Sequence, residues 1–184
     1  WWRMYPTNVP SARYLSPMAY HEASDSVLMV YGLEWPSGSQ MREAWQLQNG
    51  NWTLLPGSMP PFRHDPLLAY DANRERLVMF GGTSSSGQKL NEVWEWDGTQ
   101  WFAGNAPVSP IGRILPAFCY DPDRQVVVMF GGAVGGGVTL QDTWEWDGSV
   151  WQQIAPAVSP PNACSKRNGL PGEMPSARAA ASRC

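Results

Sequence analysis

Three arginines recur at equal intervals, Arg13, Arg63 and Arg113, fifty residues apart each time. A guanidinium presents its N–H donors as a rigid planar fork that matches carboxylate, sulfate or phosphate oxygens, so three of them together would hold an anionic or polar ligand. Equal spacing suits a structural task as well, each arginine bonding nearby backbone and tying one unit to the next. Arg63 is followed by His64 and Asp65, where the other repeats have Tyr14 and Ile114 in place of the histidine. An imidazole beside a carboxylate can serve as general base or metal ligand, although a surface histidine with no role is the commoner case. Trp35, beside Glu34, lies in a stretch that differs between the repeats. The expected site therefore pairs His64 and Asp65 as catalytic groups with Arg13, Arg63, Arg113, Tyr14 and Trp35 as ligand-binding groups. There is no HxxxH, CxxC or GxSxG, which excludes zinc-protease and α/β-hydrolase chemistry. The glycine-rich run at 131–137 has no helix after it and is no phosphate loop. No cofactor is expected, and a metal ion near the histidine stays open.

The totals bound the classes. With 184 residues, 43% hydrophobic and 16% charged, the chain is globular and long enough for a core. Eighteen Gly and 17 Pro at regular places argue for short strands and many turns. A net charge of −3 with no basic run speaks against nucleic acid and anionic membrane surfaces. No apolar stretch approaches the roughly 18 residues of a spanning helix. Three scattered cysteines, Cys119, Cys164 and Cys184, make neither a disulfide framework nor a metal knuckle, and Cys119 in PAFCY reads as a small buried apolar residue. The compartment, cytoplasmic or secreted, stays open. Trp1 is not an initiator, and the first residues lack the order of a signal peptide, so residues ahead of it are expected to have been cleaved or left out.

Along the chain, LVMFGG…VWEWDGTQW at 77–101 is repeated as VVMFGG…TWEWDGSVW at 127–151. Repetition of this length means one supersecondary unit used several times, since a single unit cannot bury its own apolar face. Residues 1–12 read as the outer strand of an incomplete unit, 13–62, 63–112 and 113–160 as whole units, and 161–184 as an irregular tail or a truncated fourth unit. Each whole unit divides into four strands. The first is expected from the arginine to Tyr20, Tyr70 or Tyr120, and a type I turn opened by Asp71 or Asp121 comes next. His21 replaces that aspartate in the first unit and should lie at the end opposite His64, against a shared two-histidine metal site. The second strand is apolar enough to be buried on both faces and ends in Gly-Gly. The third, Trp94-Glu95-Trp96 or Trp144-Glu145-Trp146, should pack both indoles inward and expose the glutamate. Asn49-Gly50, Asp97-Gly98 and Asp147-Gly148 then predict type I′ hairpins into a fourth strand carrying Trp52, Trp101 or Trp151. Regular recurrence assigns these tryptophans to the core between units rather than to sugar stacking.

The Gly-Gly doublet after a hydrophobic strand, the spaced aromatics and the four strands per unit resemble the kelch repeat, of the bacterial and galactose-oxidase central-domain type, over about residues 1–160. The resemblance implies an all-β, kelch-type β-propeller of three four-stranded blades plus an extra N-terminal strand. It also implies that the segment before the first strand and the loop after Gly-Gly share one mouth of a central channel. Transferred position by position, that mouth holds Arg13, Arg63, Arg113, His64 and Asp65, ringed by the loops 33–40, 83–89 and 133–139. The first repeat departs from the pattern, with Tyr31-Gly32 for Gly-Gly and Gln46 for glutamate. The copper-ligand pattern of galactose oxidase has no match. Three blades do not close a ring, so a homodimer of six blades is expected, or further chain. The function expected is binding of a polar or anionic ligand, or of a polypeptide, at the mouth loops. The alternative is a small hydrolase of ester or phosphoester bonds in the central funnel, with Arg63 and Arg113 on the oxyanion and His64 and Asp65 moving protons.

Overall fold

Short β-branched and aromatic runs between turn residues form short antiparallel strands. The structure, a computed structural model, describes residues 8–155; the strand expected around Trp1–Tyr5, the tail at 161–184, Cys164 and Cys184 lie outside the described residues. The described chain is all-β, with three four-stranded antiparallel sheets, each a meander in chain order. The first sheet holds Met18–His21, Ser26–Val30, Ala44–Gln48 and Asn51–Leu54. The second holds Leu67–Asp71, Arg76–Phe80, Val93–Trp96 and Trp101–Gly104. The third holds Ala117–Asp121, Val126–Phe130, Thr143–Trp146 and Trp151–Ile154. Among the described residues the helical content is one 3-10 turn, Glu22–Ser24, and no helix is long and apolar enough to cross a membrane.

The second sheet lies between the other two. Leu77 and Met79 pack with Leu28 and Val30 of the first sheet, whereas Val78 and Phe80 pack with Val127 and Met129 of the third. All four central residues are fully covered, as the apolar run of 77–80 predicts, and each contributes about 2 kcal/mol by burial. Strand alternation sends successive side chains to opposite faces, so two cores grow from one strand.

Four expectations need correction. The first strand of a repeat does not begin at the arginine. It begins at Leu67 in the second sheet, because Asp65 takes φ +54° and Pro66 has no N–H to offer a ladder. Of the three hairpins so expected, Asn49-Gly50 alone has positive φ at both positions, +50° and +78°. At Asp97 the connection spans four residues between Trp96 and Trp101, and the aspartate carboxylate accepts the N–H groups of Thr99 and Gln100 at 2.8 Å each. Asp147 repeats this with Ser149 and Val150. An Asx turn thus replaces the positive φ that asparagine supplies in the first sheet. Glu95 and Glu145 are not exposed: their side chains are 14% and 16% accessible and pair with Arg74 and Arg124. Glu95 lies across from Val78, on the face that packs against the third sheet, whereas Glu145 lies across from Val128 on the outer flank and is covered by its pair with Arg124. Cys119 is half-buried rather than buried, since it lies across from Val128, on the face turned away from the second sheet.

Candidate functional site

The segment ahead of each sheet crosses the turn after its second strand, and the second glycine of the doublet permits the crossing. A Cβ on Gly82, at φ +93°, would stand 3.0 Å from the His64 carbonyl and 3.2 Å from Pro66 Cα. Gly132 meets Ile114 and Pro116 in the same way. The first position of the doublet is left-handed too, and in the first repeat Tyr31 fills it at φ +56°, its hydroxyl donating to the Pro60 carbonyl at 3.1 Å.

At this crossing each arginine does one job three times over. Arg63 donates from Nε to the Pro61 carbonyl, from Nη1 to the Gly81 carbonyl at 3.1 Å, and from Nη2 to Glu92 at 2.8 Å. Arg113 does so with Ile111, Gly131 and Asp142, and Arg13 with Ser11, Tyr31 and Glu43. The acid also accepts the indole N–H of the tryptophan two residues on, Trp45, Trp94 or Trp144. Burial works against the charged form of Glu43, Glu92 and Asp142, yet bonds from tryptophan and arginine hold all three below their ordinary values. The Arg63 and Arg113 side chains are wholly covered and that of Arg13 nearly so. The forks are therefore spent inside their own units and neutralised there, rather than lining a positive funnel. Sequence reasoning missed the acids, although an acid two residues before tryptophan in E-A-W, E-V-W and D-T-W was the available signal.

The two positions after each arginine are held alike but differ in chemistry. Leu15, Asp65 and Leu115 have φ +54°, +54° and +53°. Tyr14, His64 and Ile114 each pair with the loop after the doublet, at Leu33, Thr83 and Ala133. Tyr14 is 44% and Trp35 69% exposed, with the two rings edge to face at 6.3 Å. His64 is half-buried against Phe62, at 6.5 Å between rings, and its Nδ1 is covered with no hydrogen-bond partner. Beside it Lys89 Nζ donates to Thr83 Oγ1 at 3.2 Å. Burial pushes the His64 imidazole down, aided by Lys89 and opposed by Asp65. Burial also pushes the Asp65 carboxyl up, against His64 and Lys89. The Asp65 N–H donates to the Leu15 carbonyl at 3.1 Å, so the aromatic pair of the first repeat and the polar group of the second adjoin.

The structure thus brings Tyr14, Trp35, His64 and Asp65 to one end of the sheets and adds Lys89 and Thr83, the two ends of a loop that sequence reasoning placed around the mouth without giving either residue a role. His21 lies at the opposite end, where the first strand turns into the second. Among the described residues no three of His, Cys, Asp and Glu stand close enough together to hold a metal ion. A concavity of about 370 Å³ lies elsewhere, lined by Trp94, Ala103 and Ser109 among others. No protein-family model matches the chain, and no curated protein matches it.

Proposed function

We propose that the three sheets are consecutive blades of a kelch-type β-propeller, closed to six blades by a second copy, whose mouth loops bind a polar or anionic ligand. The observation that carries the binding reading is the contrast at the crossing. Arginine, acid and tryptophan recur as one clasp in all three repeats, while the next two positions, in one fixed backbone conformation, vary from Tyr14-Leu15 to His64-Asp65 to Ile114-Leu115. A rigid scaffold with divergent side chains that are at least partly exposed is the arrangement that recognition sites use. Tyr14 and Trp35 offer an apolar platform, Lys89 and His64 the donors, so the ligand carries acceptor oxygens next to an apolar face.

A second reading, hydrolysis of ester or phosphoester bonds, draws on the unpartnered Nδ1 of His64 beside a carboxyl pushed up by burial. With Arg63 and Arg113 committed elsewhere, Lys89 is the cation left near an oxyanion. One experiment addresses both. Phosphate, acetate and benzoate are titrated into isotope-labelled protein, and p-nitrophenyl acetate and phosphate are assayed alongside. Binding predicts amide shifts at 14, 35, 64, 65 and 89 that disappear in Trp35→Ala and Lys89→Met. Shifts absent from these residues refute the mouth site. Turnover that His64→Ala abolishes in a folded protein favours the hydrolase.

A further inference from the structure

Neighbouring sheets meet through one set of contacts, made twice. The Tyr70 hydroxyl of the second sheet accepts the Ala23 N–H from the turn of the first, at 3.2 Å. The Tyr120 hydroxyl of the third accepts the Asn73 N–H from the turn of the second, at 3.2 Å. Against each turn lies a glycine from the last hairpin of the next sheet, Gly98 beside the His21 ring and Gly148 beside the Arg74 guanidinium. Around these points Leu68 and Tyr70 pack into the core shared by the first two sheets, and Leu67 into the core shared by the last two.

Each half of this contact occurs once more, on the two outer flanks. The first sheet carries Tyr20 at the place of Tyr70 and Tyr120, Met18 at the place of Leu68, and Gly50 at the place of Gly98 and Gly148. Met18 is 58% and Tyr20 50% exposed, although their counterparts are packed. The Tyr20 hydroxyl donates to Asp25 at 2.6 Å, which leaves its oxygen able to accept. The third sheet carries the other half. Its turn presents Arg124 at the place of Arg74 and the Asp123 N–H at the place of Asn73. That N–H donates to Asp121 Oδ1 at 3.0 Å, as Asn73 does to Asp71 at 3.1 Å while also sharing its proton with Tyr120. Among the described residues no tyrosine takes the second share at Asp123. Val128 and Phe130 are half-covered where Val78 and Phe80 are sealed, and Ala117 is exposed where Leu67 is packed.

We propose that these two flanks bind each other between two copies of this chain. The Tyr20 oxygen of one copy accepts the Asp123 N–H of the other, Gly50 lies against Arg124, and Met18 and Tyr20 cover Ala117, Val128 and Phe130. The fit extends to a place where the first sheet departs from the pattern. Trp146 Nε1 donates to Glu95 at 2.8 Å across the inner junction, but Leu47 holds the corresponding place in the first sheet and offers no N–H. Its counterpart acid, Glu145, is already paired with Arg124, so the new junction leaves no carboxylate without a partner. Because the flanks differ, the contact runs end to opposite end, and two copies close it twice about a twofold axis. This assignment of atoms rests on the ring closure of the propeller reading.

Light scattering on a size-exclusion column tests it with the full chain, Met18→Arg, Ala117→Arg and an equimolar mixture of the two. Both positions are exposed, so each variant keeps its own fold, checked by circular dichroism. The expected result is twice 20.4 kDa for the wild type, one chain for each variant alone, and recovery of two chains in the mixture, because one of its two junctions is unmutated. Tyr20→Phe is expected to raise the dissociation constant about thirtyfold, since the twofold dimer loses one hydrogen bond at each of its two junctions. A wild-type monomer at about 100 μM, a concentration far above the Kd of a stable interface, overturns both the flank contact and the closure by a second copy. A dimer indifferent to both arginines keeps the closure but overturns the flank assignment. A dimer sensitive to only one, or a mixture that never recovers, replaces it with a contact between like faces. The mouth site keeps its separate titration.

Discussion

At the scale of the residue, the arginine clasp is the feature most easily mistaken for a binding site. Three evenly spaced guanidiniums suggest a ligand, but each satisfies the carbonyl two residues ahead of it and a second carbonyl and an acid of its own repeat. Arg63→Lys should therefore destabilise the fold although charge is kept, since an ammonium cannot serve the Pro61, Gly81 and Glu92 oxygens from one planar fork. We expect a loss of about 3 kcal/mol in urea denaturation, near the lower end for breaking a buried pair because Glu92 is half-exposed. An unchanged midpoint would show the clasp to be dispensable. Asp65 differs from the arginine beside it: its backbone is fixed by the crossing and its carboxyl belongs to neither the clasp nor the core.

At the scale of the element, the crossing of segment over doublet decides where the variable residues point. The doublet glycines are needed for different reasons at different places, and in the second repeat Gly82 is the one whose added Cβ would meet three backbone atoms of the crossing segment at 3.0–3.2 Å. Gly82→Ala puts a Cβ against backbone on top of a positive φ, whereas Gly38, also left-handed, has open space around it. We expect Gly82→Ala to cost about 3 kcal/mol and Gly38→Ala about 1, the difference being the clash with the His64 segment. Equal costs in thermal or chemical unfolding would mean that the crossing relaxes freely.

At the scale of the molecule, the middle sheet has no free face, so stability couples all three sheets. Acid should act on it in two windows. Burial lowers the folded value of both His21 and His64 below the ordinary 6.5, so the native state binds fewer protons than the unfolded chain. That stability is present above pH 6.5 and is lost as pH falls through the lowered folded values. A second loss comes at lower pH, as Glu43, Glu92 and Asp142, all held below their ordinary values, take up protons. His21 sits at the junction of the first two sheets, its ring 5.0 Å from that of Tyr70 and its Nε2 without a partner, with Glu75 and Arg76 acting on it from the second sheet. His21→Asn should shrink the fall in melting temperature between pH 7.5 and 5 and leave the lower window in place. A fall of unchanged size would clear His21 of any part in it.

The all-β class, the number of whole repeats, the apolar second strands and the singularity of His64, a residue the repeat does not require, are all legible in the amino-acid order. These are local facts: strand period, turn residues and repetition are written along the chain. Even the acids of the clasp were legible, two residues before each tryptophan. The direction a side chain faces, and what it meets there, came from packing alone. Glu95 alternates with two indoles and would be exposed in a sheet with one wet face, but it is covered because another sheet lies on that side. Arg63 has the chemistry of an anion site and loses it because Gly81 and Glu92, distant in sequence, reach it first. Lys89 and Thr83 join His64 through a crossing that two glycines permit. Spacing along a chain fixes chemistry within a strand, whereas exposure and partnership are settled by what packs against it.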